Sequence, residues 1–308
     1  VFGRPGGGDG RGADCVLGRY QFAASAQSNA ALLIFIQRCL PRSPSRYDAW
    51  EKDSRMTRTS ILSLALFIAL LALWEAFVRL TGVSPLVIPA PSTVLIVLWE
   101  GLTVGFLWPH IWVTAVETLL GFALGCAIGF VAGVILGEVS FLRRLLWPYV
   151  LASQVVPKLA LGPIFIVWFG FGMTSTIIIT ALICFFPLLE NTLTGLQSVP
   201  PEKRDLFRML GASRRQTLLR LKIPSGLPVI MVGVRVAIVL ALVGAVVGEF
   251  IGGDAGLGAS IIAAQGMMDS TLMFALFIVI TALGMLFYQL TILLERWLLS
   301  SWMKGQET

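Results

Sequence analysis

The sequence predicts an all-α, polytopic membrane helix bundle with about six transmembrane helices. Three observations lead there. Hydrophobic residues make up 56% of the chain, charged residues only 13%, and the mean hydropathy is +0.85. The apolar residues collect in stretches long enough to cross roughly 30 Å of hydrocarbon as helices. The basic residues fall at the ends of those stretches and in one link. A soluble domain carries about a quarter charged residues, and 308 residues cannot hide this much apolar surface from water.

Residues 1–55 differ from the rest, being rich in Gly, Arg, Ser and Asp, with one short apolar run at 30–36. That run is too short to span a bilayer and lacks the build of a signal peptide. The reading is a disordered or non-native tail ahead of a start at Met56, with a native flexible tail as the alternative. Residues 56–308 then form the membrane domain. Spans are expected at 59–80, 110–137, 145–169, 174–194, 227–251 and 272–299. Between the first two, 92–106 reads as a short interfacial helix capped by Ser92 and opened by Pro89 and Pro91.

Charge sets the orientation. Arg55 and Arg58 precede the first span, Arg143 and Arg144 separate the second and third, and Lys304 follows the last. The link between the fourth and fifth holds Lys203, Arg204, Arg208, Arg214, Arg215, Arg220 and Lys222. With positive residues inside, both termini and this link are expected in the cytoplasm. The same placement accounts for the net charge of +6 without nucleic acid. In the second span Gly121, Gly125, Gly129, Gly133 and Gly137 recur every fourth residue. They form a ridge for close helix contact, read first as internal packing and second as a subunit interface.

The link carries paired start and stop signals. Pro200 and Pro201 open a helix bearing Leu206, Phe207 and Leu210, and Gly211 stops it in a C′ position. Ser213 caps a second helix with Arg214, Arg215 and Arg220, which Pro224 is expected to end. Two short helices with apolar bulk among cations make a knob suited to docking in a groove on a soluble partner.

Several residue patterns exclude chemistry. Cys15, Cys39, Cys126 and Cys184 have no metal-ligand spacing, and the single histidine, His110, cannot close a metal site. No phosphate-cradling Gly-x-x-x-x-Gly-Lys-Ser/Thr occurs, and the Gly-rich run 252–258 follows a membrane span where a nucleotide fingerprint needs a strand. That run reads as a tight turn or re-entrant loop at the outer mouth. No cofactor and no catalytic residue are expected.

Charged residues within spans are costly and are therefore site candidates. Glu117, Lys158 and Glu249 qualify, with Gln154 as a polar companion. Glu117 and Lys158 either line a path or form a structural ion pair. Arg235 reads first as structural, and Glu249 and Asp254 could also face an outer partner. Asn191 and Gln265 are further polar candidates.

The link from Gly195 through Asp205-Leu-Phe-Arg-Met-Leu-Gly-Ala-Ser213, then Ile223-Pro224, Pro228 and Gly233, resembles the EAA-type coupling loop of ABC importer permeases. Asp205 stands at the acidic position and Gly211 matches, while Leu206 and Phe207 replace the two alanines. The run 157–172, PKLALGPIFIVWFGFG, is similar to permeases of the nitrate/sulfonate/taurine type. Glu117 with Gly121-Phe122, and the run 244–252, resemble the pyrimidine-precursor and riboflavin group. The resemblance covers 59–299. It implies a type I ABC importer-like fold, a coupling loop at about 195–224, and ATPase contact through Asp205, Leu206, Phe207, Leu210, Gly211, Ala212 and Arg215. It also implies ABC ATPase subunits, an outer solute-binding protein and a second permease subunit, identical or not, in the cell inner membrane and its lipid. Alternating access would move a small polar solute, with Glu117, Gln154, Lys158 and Glu249 along the path. The competing reading is an ion-coupled secondary transporter working without an ATPase. Internal repeats would mark it, and none is convincing.

Overall fold

A computed structural model describes residues 46–303, with side-chain detail over 62–158 and 160–298. Of the expected tail, 1–55, residues up to 45 lie outside the described residues, and 46–55 belong to the first described helix. The chain divides within its first helix, after Leu70. Ten α-helices plus one single-turn helix are described, with no strand among the described residues.

Helix α1 runs Arg46–Thr81, and its 62–81 part is long and apolar enough to cross a membrane. Helix α2, Pro91–Val104, is the expected interfacial helix, with one correction. Its N-cap is Ala90 and it has no side-chain cap. Ser92 sits in the first turn, where Pro91 needs no amide, and turns to another partner. Glu75 on α1 accepts hydrogen bonds from the Ser92 amide at 3.0 Å and the Ser92 hydroxyl at 2.8 Å. An acid from a neighbouring helix therefore serves the start of α2.

Helix α3, Leu107–Glu138, is the expected second span. The third does not form as one helix. Helix α4, Ser140–Val155, ends because Pro157 forces Val156 into extended backbone, with φ −67° and ψ 123°. A 3₁₀ turn, Lys158–Leu161, leads to the short α5, Gly162–Phe169. The described chain therefore has five helices of spanning length and composition, together with this interrupted segment.

Helix α6, Met173–Gln197, is packed on both sides. The glycine ridge of α3 faces it: a Cβ at Gly125 would lie 2.5 Å from both Ala181 O and Cys184 Sγ, and one at Gly129 would lie 2.5 Å from Phe185 O. The ridge is thus internal packing, the first of the two readings. On the other side lies α9, Ile223–Gly252, where Gly195 and Gly226 meet backbone to backbone. In lipid, where burial itself gives little drive between helices, such close approach supplies the van der Waals contact that holds them.

Helix α7, Pro201–Met209, and the single turn α8, Arg214–Thr217, form the expected two-helix link. Pro224 does not end the second helix. A π turn, Leu218–Lys222, carries α8 straight into α9, with the Ile223 amide donating to Leu218 O five residues back. The wider ring accommodates Pro224, whose missing N–H and ring would otherwise interrupt the i→i−4 ladder. Helix α10, Leu257–Gly266, and α11, Ser270–Met303, complete the chain. Leu242 and Val246 of α9, Leu257 and Ile261 of α10, and Leu276 and Leu283 of α11 share one core with Leu107 at the start of α3.

Candidate functional site

The link is built by its own hydrogen bonds. Gly211 adopts φ +69°, the left-handed conformation expected at C′. Its amide donates to Arg208 O and the Ala212 amide to Phe207 O, both at 3.0 Å, which makes a Schellman closure. Two residues on, the Ser213 hydroxyl accepts from the Gln216 amide at 3.2 Å, and Gln216 Oε1 accepts from the Ser213 amide at 2.8 Å. This capping box fixes the second turn directly after the first has ended. The bend between α7 and α8 is therefore rigid, since both helix ends are satisfied by bonds local to the bend.

The surface this bend presents is apolar. Leu206, Met209 and Leu210 are 54%, 86% and 73% exposed, with Phe207 and Ala212 half-buried behind them. Asp205 and Arg215 are exposed beside them. Asp205 accepts from Arg208 at 3.3 Å, but both are so exposed that the pair adds little to stability. Met209 went unmarked in the sequence; its position on the last turn before Gly211, one residue from Leu210, was the available signal.

Two contacts tie the link to the spans. Arg204 Nη2 donates to Gln197 O, the last turn of α6, at 2.7 Å. Lys222 Nζ donates to Glu138 Oε1, the end of α3, at 2.6 Å. Both members of that ion pair are largely buried, and they line a cavity of about 410 Å³ with Arg204, Arg208 and Arg214. Glu138 was missed because nothing in a sequence announces a partner 84 residues away.

The intramembrane candidates separate into two places. Glu117 and Glu249 are each only 2% exposed, and their carboxyl groups lie against one another. Glu117 thus meets another acid, and neither of its two sequence readings had that partner. Glu249 Oε2 accepts from the Gly258 amide at 2.5 Å. Thr114 Oγ1 accepts from the Leu257 amide at 2.8 Å, and His110 Nδ1 from the Gly256 amide at 3.2 Å. Three successive amides at the start of α10 are thereby taken up by side chains of α3 and α9. The Gly-rich run enters the protein here, as a re-entrant element requires.

Gln154 and Lys158 lie elsewhere, at the break between α4 and α5. Lys158 Nζ donates to Gln154 Oε1 at 2.6 Å. No residue of α4 is buried, and only Gly162 of α5 is. Arg235 donates to Glu295 Oε1 on α11 at 2.6 Å. Asn191 bonds its own helix at Pro187 O, while Gln265 is exposed. Among the described residues no cluster of His, Cys, Asp and Glu has the makings of a metal site.

Residues 125–302 match the family described as binding-protein-dependent transport system inner membrane component. The riboflavin transport system permease protein of Chloroflexus aurantiacus is 40% identical, over 76% of this chain and 87% of its own length. The formylaminopyrimidine transport permease protein of Halalkalibacterium halodurans is 33% identical, over 78% of this chain and 95% of its own. A chain of the inward-facing methionine ABC transporter superposes with a TM-score of 0.57 at 18% identity, covering 62% of this chain and 97% of that one. The last likeness is one of fold.

Proposed function

We propose how this chain works from the premise that it belongs to the binding-protein-dependent transport system inner membrane component family and is the membrane permease subunit of an ABC importer. It is not itself an enzyme; ATP hydrolysis falls to a partner subunit, and a solute-binding protein delivers the cargo.

The docking surface for the ATPase is the bend at 205–215, with Leu206, Phe207, Leu210 and Ala212 entering a groove and Asp205 and Arg215 at its rim. The observation that carries this is the rigid bend with Leu206, Met209 and Leu210 exposed on it. A flexible loop would absorb a partner's movement, whereas a bend with both helix ends satisfied passes it on. Arg204 and Lys222 then deliver it to α6 and α3. By charge, the link and both termini face the cytoplasm.

A second permease chain covers α4 and α5. These helices bury almost nothing within the subunit, and Val155, Val167 and Trp168 are 85%, 82% and 68% exposed. Their broken geometry in mid-segment is the kind tolerated only where protein or a water-filled cavity adjoins it. The solute path therefore runs between the two α4–α5 segments and works by alternating access. The cargo is a small polar solute of the riboflavin or pyrimidine kind named for the two relatives, with a sulfonate or nitrate-like solute as the wider range.

Co-expression tests the assembly. Affinity-tagged permease should bring down its ATPase subunit, and radiolabelled riboflavin uptake into vesicles supplied with the solute-binding protein should require both subunits and ATP. Uptake that persists without any ATPase would overturn the reading.

A further inference from the structure

From residue 140 to 169 the chain carries three cations, Arg143, Arg144 and Lys158, and no Asp or Glu. Arg143 and Arg144 sit at the start of α4 and have an ordinary role as membrane-end anchors. Lys158 has none. Gln154 lies ten residues past Arg144, about 15 Å along the helix and near the middle of a roughly 30 Å hydrocarbon layer. Lys158 lies four residues beyond it, on the 3₁₀ turn of the interrupted segment.

An ammonium at that depth needs partners. Lys158 donates to Gln154 Oε1 and to no carboxylate among the described residues. It has three donors, so two are left over. Gln154 holds it at a cost, since Gln154 Nε2 is buried with no hydrogen-bond partner. Accepting an orphaned amide to orient a half-buried lysine makes sense where the lysine has a task. The helix break supplies the setting, because discontinuous spans place polar groups toward a central site.

We propose that Lys158, oriented by Gln154, contacts the solute midway along the path and receives a negatively charged or negatively polarised oxygen. The cargo is then an oxygen-acceptor solute, an oxyanion or a carbonyl-rich ring, and a purely cationic solute is disfavoured. This rests on the reading of α4 and α5 as the wall of the path.

Thiol reactivity tests it without knowledge of the solute. In a chain with Cys15, Cys39, Cys126 and Cys184 replaced by Ala, Val155→Cys places a probe three residues before Lys158. The intact transporter in membrane vesicles is treated with anionic methanethiosulfonate ethylsulfonate or with its cationic trimethylammonium analogue. With Lys158 present, the anionic reagent should be favoured roughly tenfold over its preference for a free thiol in solution. Lys158→Gln or Lys158→Met should remove that preference and Lys158→Arg should keep it. If neither reagent reaches the introduced thiol in any nucleotide state, the path reading itself fails. If both reach it and the ratio ignores Lys158, the path reading stands and the oxygen-acceptor inference is overturned.

Discussion

Glu138 and Lys222 join the last turn of α3 to the π turn that leads into α9, their charged atoms 2.6 Å apart and largely shielded from solvent. Among the described ion pairs it is the one that links the bend region to a span in another part of the chain. Lys222 also shares its cavity with Arg204, Arg208 and Arg214, so losing Glu138 would leave four cations lining it without their acid.

Glu138→Gln should therefore uncouple the link from α3. Uptake and transport-stimulated ATP hydrolysis are expected to fall together, while membrane insertion and ATPase binding persist. The interchange Glu138→Lys with Lys222→Glu should restore part of the loss, as a pairwise interaction requires. Vesicle uptake and ATPase rates on Glu138→Gln, on the two single charge reversals and on the double variant check this; equal failure of the single and double reversals would count against it.

At Gly211 the constraint is backbone conformation alone. An added Cβ would meet nothing within 4 Å, yet φ is +69°. Gly211→Val should cost about 1–2 kcal/mol through the left-handed conformation and misdirect α8. Gly211→Asn, which tolerates that conformation, should be milder. The expected result is lost ATPase recruitment in the Val variant at normal expression, measured by co-purification.

Much of this was legible in the sequence because the signals were local. Gly211 and Ser213 announced a stop and a cap from their immediate neighbours, and the bend formed as read. The glycine ridge of α3 was equally local in its spacing. What stayed hidden depended on distant partners or on competition between neighbouring signals. Apolar composition suggested an unbroken span at 145–169, but Pro157 outweighed it and split the segment. At Pro224 the balance ran the other way: a π turn absorbed a residue expected to stop the helix. Glu117 meeting Glu249, and Arg235 meeting Glu295, join elements far apart in the chain. No periodicity reports such pairs.

The packing of α3 on α6 gives a stability test with an internal control. Gly125→Leu would drive a side chain into Ala181 and Cys184, and overpacking of that sort costs about 1–3 kcal/mol or more. Gly266, with an open surrounding and ordinary backbone, should accept Ala with little change. Thermal unfolding of detergent-purified protein should show a lowered Tm for the first and none for the second. A tolerated Gly125→Leu would mean that α3 and α6 do not approach this closely.

The amides of Gly256, Leu257 and Gly258 give the last test. They are held by His110, Thr114 and Glu249, side chains that reach them from α3 and α9. Glu249→Gln keeps an acceptor for Gly258 and should leave the start of α10 in place. Glu249→Ala removes it, leaving a buried donor unmet at a cost of about 1–3 kcal/mol. Local opening should then become easier, and amide hydrogen exchange across 256–258 should quicken by roughly one to two orders of magnitude. Exchange at the Gly211 bend should stay unchanged, because that bend is closed by its own hydrogen bonds. Unaltered exchange at 256–258 in Glu249→Ala would show that Glu249 does not hold the start of α10.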